Sequence, residues 1–227
     1  MNKISLVTGG TSGLGKEIVE QLIKKGQKVA IIARDKEKLN LLLSKYKENV
    51  LVYCGDICDE FFIKKTLDNI KDEGYYINYL FNNAGVGIFG APEDMNMEKI
   101  QKVMNSNTIG LMCLTYETLR HMQEGGTIVN IMSTAAIKTP KGESLYSASK
   151  CAVKGFTNSL QLSYKNTNIH VIGVYPGGMK TPFWKPNCGQ SPDVSKFMDP
   201  AEVAEIIIFN VLEHKTSYLP DITIERI

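Results

Sequence analysis

The sequence predicts an α/β fold: a single-domain, doubly wound parallel sheet with helices on both faces. Short β-type runs alternate with longer helical runs along the chain. The strand-like runs are almost continuously apolar, as expected where helices cover both faces of a parallel sheet. At 227 residues, 43% apolar and 22% charged, the chain is large enough for one sizeable core. One domain is expected over residues 1–227, with 182–199 as a mobile loop.

Taken in order, Ile4-Ser5-Leu6-Val7 is a buried strand. Lys16 to Lys25 carries Ile18, Val19, Leu22 and Ile23 at helical spacing, and Gly26 stops it. Val29–Ala33 is the second strand. Asp35 then caps a helix bearing Leu39, Leu41, Leu42 and Leu43. Val50–Tyr53, Tyr79–Phe81, Thr127–Ile131 and Ile169–Val174 continue the strand series. Asp199-Pro200 opens the last helix, and Ile222-Thr223-Ile224 is the last strand.

Composition narrows the function. A formal charge of +2, from 26 basic and 24 acidic residues spread along the chain, gives no electrostatic case for nucleic acid. No apolar run reaches the length of a membrane span, and the N-terminus enters its first strand without a signal-peptide pattern, so a cytoplasmic protein is expected. The five cysteines lack a Cys-x-x-Cys pair and the three histidines are too few for a zinc cluster. They read as reduced, mostly buried thiols, and no metal is expected.

Doubly wound sheets bind ligands at the carboxyl ends of their strands. The first such turn, Thr8-Gly9-Gly10-Thr11-Ser12-Gly13-Leu14-Gly15, suits a dinucleotide: glycines let the backbone approach a phosphate, and the following helix offers unpaired N–H groups. A nucleoside-triphosphate loop nearly fits Gly10 to Lys16, but Glu17 stands where a hydroxyl would hold magnesium. Arg34, after the second strand, favours the 2′-phosphate of NADP, with Ser12 as a hydroxyl partner; a solvated arginine at a strand end is the plainer alternative.

Farther along stand Tyr146 and Lys150, at i and i+4 and so on one helix face. Tyr and Lys at this spacing are common on solvated faces. As a functional pair, a phenol beside an ammonium is a tuned acid, its pKa lowered from about 10 by the neighbouring charge. Ser133 follows an apolar strand, which puts its hydroxyl at the same sheet edge.

Together these elements resemble the short-chain dehydrogenase/reductases in their form of about 250 residues. The resemblance rests on Thr8-Gly9 through Gly15, Asn82-Asn83-Ala84-Gly85, Asn107, Ser133, Tyr146 with Lys150, and Pro176-Gly177 followed by Thr181. It implies a Rossmann-like fold and catalytic roles for Asn107, Ser133, Tyr146 and Lys150. Ser133 would bind the substrate oxygen and Tyr146 would exchange its proton. Lys150 would hold the nicotinamide ribose and lower the tyrosine's pKa. Asn107 would anchor a water leading from Lys150 to solvent; a helix N-cap is the alternative for it.

The implied cofactor contacts are Gly9, Thr11, Ser12, Gly13, Leu14, Gly15, Arg34, Asp56, Ile57, Asn83, Ala84, Gly85, Tyr146, Lys150, Pro176, Gly177, Met179 and Thr181, with Asn82 bracing the sheet. NADP(H) is preferred, with NAD(H) possible. The substrate is a small hydrophobic carbonyl or alcohol compound, enclosed by Val86 to Phe89, Ala135 to Ile137, Phe183, Trp184, Phe197 and Met198. The alternatives are a 3-oxoacyl-thioester reductase, to whose anionic carrier Lys138, Lys141 or Lys185 would turn, and a catalytically silent dinucleotide sensor. A homodimer through the helices near Asn107 and Ser144 is expected, with a tetramer also open.

Overall fold

The computed structural model describes residues 1–122, 125–184, 192–213 and 216–227. Its strands are β1 (Asn2–Thr8), β2 (Val29–Ala33), β3 (Val50–Cys54), β4 (Tyr75–Asn82), β5 (Gly126–Ile131), β6 (Ile169–Pro176) and β7 (Asp221–Ile224). The helices are α1 (Gly13–Lys24), α2 (Lys36–Tyr46), α3 (Glu60–Asp72), α4 (Met97–Met104), α5 (Gly110–His121), α6 (Ser144–Ser163) and α7 (Pro200–Leu212). The strands form one parallel sheet in the order β3-β2-β1-β4-β5-β6-β7. The order reverses between β1 and β4, the point at which such sheets open a crevice at their carboxyl ends.

Alternation along each strand builds two cores. Val7, Val29 and Ile31 pack with Leu22 of α1, Leu39 of α2 and Ile207 of α7. On the other face Ile4, Leu6, Ala30 and Ile32 pack with Leu67 of α3, Leu114 of α5 and Leu160 of α6. Both alternating sets meet helices, so both had to be apolar and the strands read as unbroken runs. Polar braces cross the centre: Asn82 Nδ2 donates to Thr115 Oγ1 at 2.8 Å and to Asn130 Oδ1 at 2.9 Å, and Asn130 Nδ2 donates to Thr157 Oγ1 at 2.9 Å. The expectation that Asn82 braces the sheet holds.

Several expectations need correction. The first helix begins at Gly13, not Lys16, because the loop glycines already lie in the helix. β4 begins at Tyr75: its Tyr-Tyr-Ile-Asn start lacks an apolar run but pairs with Asn2 to Ile4. Leu39 and Leu42 of α2 are buried, whereas Leu41 and Leu43 face solvent. Cys54, at the end of β3, Cys58, in the turn before α3, and Cys151, on α6, are exposed and Cys113 of α5 is half-buried against the core, so these four thiols are free but not mostly buried. Cys188 lies outside the described residues, as do residues 185–191 of the expected mobile loop. Among the described residues, no helix is long and apolar enough to cross a membrane.

Candidate active site

The carboxyl ends of all seven strands and the start of α6 converge on one cleft of about 1010 Å³. That lies at the upper edge of the roughly 300–1,000 Å³ usual for small-molecule sites, so the cleft has room for more than a single-ring ligand. The turn after β1 forms its floor. Gly9 (φ 67°) and Gly13 (φ 50°) take left-handed conformations that side chains rarely adopt, and Gly13 faces the Thr181 side chain. Ser12, the N-cap of α1, makes no side-chain cap, and the first turn of α1 carries no acid. Its N–H groups are therefore free to receive an anion.

Of the catalytic and cofactor residues singled out from sequence, all but two line this cleft; of the expected substrate enclosure Val86, Gly87, Ile88, Ala135, Phe183, Trp184 and Phe197 do, whereas Phe89, Ala136, Ile137 and Met198 do not. Gly15 packs instead inside the loop, where an added Cβ would stand 2.3 Å from Asn83 Nδ2 and 2.4 Å from Gly9 O. Asn83 clamps the same loop, donating from Nδ2 to Thr8 O at 3.0 Å. Thr8 Oγ1 accepts from the backbone N–H groups of Asn83 and Ala84, each at 3.0 Å, which locks the ends of β1 and β4 together.

Asn107 is the second exception. It is fully buried in a widened π-turn, Asn105–Ile109, which joins α4 to α5 as a continuous helix, so the N-cap alternative fails. Its amide grips one residue by both backbone groups: Val86 N donates to Oδ1 at 2.8 Å, and Nδ2 donates to Val86 O at 2.9 Å. A further bond from Nδ2 to Ser149 Oγ, at 3.0 Å, commits the other amide hydrogen and ties this turn to α6. π-turns of this kind are frequent at functional sites.

At the end of β2, Arg34 Nη1 lies 3.8 Å from Asp56 Oδ2, both side chains being well exposed. An ion pair so open to solvent is worth at most about 1 kcal/mol, and either partner is free to turn to a ligand. Asp35 caps α2, its Oδ1 accepting from Lys38 N at 3.1 Å. Lys38 also lines the cleft, a contact the sequence reading missed.

On the other side, α6 places Tyr146 and Lys150 side by side under the cleft, with Lys150 Nζ 5.7 Å from the centre of the phenol ring. Nζ donates to Ile131 O at 3.0 Å. Burial lowers the lysine to about 8 from the ordinary 10.5. Burial also pushes the phenol above its ordinary value; a hydrogen bond from the Ser133 hydroxyl works against this, and the charge of Glu143 adds to it. Without the dinucleotide, the burial of both groups outweighs the depression that Lys150 was expected to bring to Tyr146. Ser133 caps a short 3₁₀ turn, its Oγ accepting from Ala135 N at 3.1 Å, which fixes its hydroxyl at the end of β5.

An aromatic wall encloses the phenol. Phe89 meets Tyr146 edge-on at 5.3 Å and stacks on Trp184 at 5.5 Å, while Phe183 lies 5.6 Å from Tyr146 and Phe197 5.3 Å from Trp184. Gly87 makes room for it, since a Cβ there would reach 2.6 Å from Phe183. Lys138, considered for an anionic carrier, pairs with Glu225 at 2.9 Å; Lys141 is exposed, and Lys185 lies outside the described residues. Glu143 was missed altogether. Its signal was its place one helical turn before Tyr146.

This sheet order and this convergence of strand ends define a Rossmann-like α/β fold. The chain matches the short chain dehydrogenase family over residues 3–190 and belongs to it. It is similar to carbonyl reductase family member 4 of Xenopus laevis, with 31% identity over 92% of this chain and 91% of that protein. It is also similar to a human 3-oxoacyl-(acyl-carrier-protein) reductase, with 28% identity over the same shares. Among solved structures, the closed form of a serine dehydrogenase complexed with NADP+ matches with a TM-score of 0.91 and 26% identity, over 97% of this chain and 94% of that one.

Proposed function

We propose that this oxidoreductase transfers hydride between NADP(H) and a carbonyl or alcohol carbon, with Tyr146 as the proton-transfer group. The observation that carries this is the meeting of the Tyr146 phenol, the Ser133 hydroxyl and the Lys150 ammonium at one end of a cleft whose other end is a glycine turn opening an uncapped helix. The cofactor supplies the hydride chemistry and the protein the positioning. Ser133 hydrogen-bonds the substrate oxygen, Tyr146 gives its proton on reduction and takes it back on oxidation, and Lys150 holds the nicotinamide ribose while stabilising the phenolate. Asn107 sets the Val86 backbone at the cleft edge and ties it to α6.

The groups that would meet a dinucleotide fit one. The N–H groups of α1 would receive a pyrophosphate, Arg34 and Lys38 would bring positive charge to the adenosine ribose, and Asp56 and Ile57 would meet the adenine. Arg34 supports NADP(H) over NAD(H), as does the named ligand of the serine dehydrogenase. Titration with NADPH and NADH, followed by loss of reduced-nicotinamide absorbance with a panel of hydrophobic aldehydes and ketones, tests the proposal. Tight NADPH binding with consumption supports it; failure to bind either dinucleotide overturns it. A 3-oxoacyl thioester is the second reading, favoured by the human relative, and an acetoacetyl thioester belongs in the same panel.

A further inference from the structure

Four acidic side chains line the cleft: Asp35, Asp56, Glu143 and Glu225. Asp35 caps α2 and pairs with Lys38, Asp56 faces Arg34, and Glu225 pairs with Lys138. Glu143 differs. It holds the N-cap position of α6 but makes no side-chain cap, and its carboxylate has no hydrogen bond or ion pair among the described residues. It is half-buried, and burial alone raises its pKa above the usual value, with no cation among the described residues holding it down. Half-buried and unpaired among the described residues, this carboxylate is the acid of the cleft left to meet a cation on a ligand.

Its surroundings indicate what that is. Glu143 stands one turn before Tyr146, close enough for its charge to act on the phenol. Gly90 N donates to Gly142 O at 2.9 Å, which binds the Glu143 segment to the loop carrying Phe89. From Phe89 the aromatic wall continues through Phe183 and Trp184. Aromatic faces attract cations, and tryptophan does so best. A carboxylate lining the same cleft as such a wall complements a cation that is also partly apolar.

We infer that this end of the cleft receives a carbonyl or alcohol compound bearing a cationic nitrogen, an aminoketone or amino alcohol, whose ammonium group meets the Glu143 carboxylate while the aromatic wall covers its apolar part. This rests on the proposed proton transfer at Tyr146, since it places the ammonium within one helical turn of the reacting oxygen. It deepens that reading by naming the substrate class. A 3-oxoacyl chain on an acidic carrier, or a free oxo acid, brings like charge toward Glu143 and is disfavoured.

Trp184 is the chain's one tryptophan, so its fluorescence reports on this wall without any turnover. The experiment titrates the full-length protein with 2-phenylethylammonium, 2-phenylethanol and 3-phenylpropanoate, which share the ring and differ in charge. The expected result is binding of the ammonium at least about tenfold tighter than the alcohol, with the carboxylate weakest. Glu143→Gln then brings ammonium and alcohol within about twofold of each other, and Glu143→Lys turns the preference toward the carboxylate. Equal affinities in the wild type, a preference that survives Glu143→Gln, or no fluorescence response to any of the three overturns the inference. Reduction of neutral ketones with NADPH is measured alongside. Its absence counts against the proton-transfer reading, whereas its presence without ammonium preference counts against Glu143 alone.

Discussion

Tyr146 is held where a phenol does not readily ionise, and that gives its replacement a clear signature. Tyr146→Phe removes the proton but leaves the ring packed against Phe89 and Phe183. Turnover is expected to fall by about 10²–10⁴-fold, the usual worth of a positioned acid, with NADPH affinity largely kept. Steady-state kinetics beside a binding titration check both halves. Lys150 carries a stability signature of its own. Its folded pKa of about 8 lies below the ordinary 10.5, so between those values the unfolded chain holds a proton that the folded chain has released. Wild-type stability relative to Lys150→Met is therefore lowest below pH 8 and rises through the window to pH 10.5, by at most roughly 3 kcal/mol. Urea unfolding of the two proteins at pH 7 and pH 10 measures it; a gap that narrows with rising pH in the mutant's favour contradicts it. Arg34→Ala is expected to weaken NADPH far more than NADH, and equal losses would show that Arg34 does not read the 2′-phosphate. The residue types at these positions were visible in the motif spacing. Their proton affinities were not, because burial comes from the whole fold and can oppose the local charge that spacing brings together.

Elements place these residues, and here the sequence was legible to different depths. The strand cores could be read because both faces of each strand are apolar, and Asp35 as a cap because capping depends on residues within one turn. The start of β4 was obscured by polar residues that only sheet pairing accounts for. A cap stood as the alternative for Asn107 because asparagine favours caps; the continuous helix through it depends on a clamp to Val86, twenty-one residues away. Gly15 looked like a ligand contact because the loop glycines cannot be told apart by type. Its closeness to Asn83 and Gly9 O makes it a packing position, which yields a further prediction. Gly15→Ala forces apart either the β1 turn or the Asn83 clamp, at an expected cost of about 1–3 kcal/mol. Dinucleotide affinity is expected to fall with it. Urea unfolding gives the first effect and an NADPH titration the second; an unchanged unfolding midpoint would contradict the packing role.

At the scale of the whole molecule, one outer surface is left to account for. Along α6 the exposed Ala148, Cys151 and Gly155 form a stripe of small residues ending near the exposed Leu162, and nothing lies within 4 Å of a Cβ built on Gly155. Neighbouring α5 presents Tyr116, whose ring packs on Phe156 of α6 at 5.5 Å while about half of the residue, 53%, stays open to solvent; Ile109, one heptad earlier, is 49% exposed. Small residues on one helix beside apolar ones on its neighbour allow a second copy to approach closely about a twofold axis, and the proposed homodimer uses this face. Such a dimer would brace α6 directly behind Tyr146 and Lys150, so assembly and the site would share one element. Gly155→Arg separates assembly from folding. Within one chain the new side chain meets open space, and an arginine suits a helix better than glycine by roughly 1 kcal/mol. Across a close helix pair it has nowhere to go. Sedimentation at low micromolar concentration is expected to give a dimer for the wild type and a folded monomer, with unchanged or higher thermal stability, for Gly155→Arg. A wild-type monomer would remove the dimer, and a variant that stays dimeric would move the interface to another face.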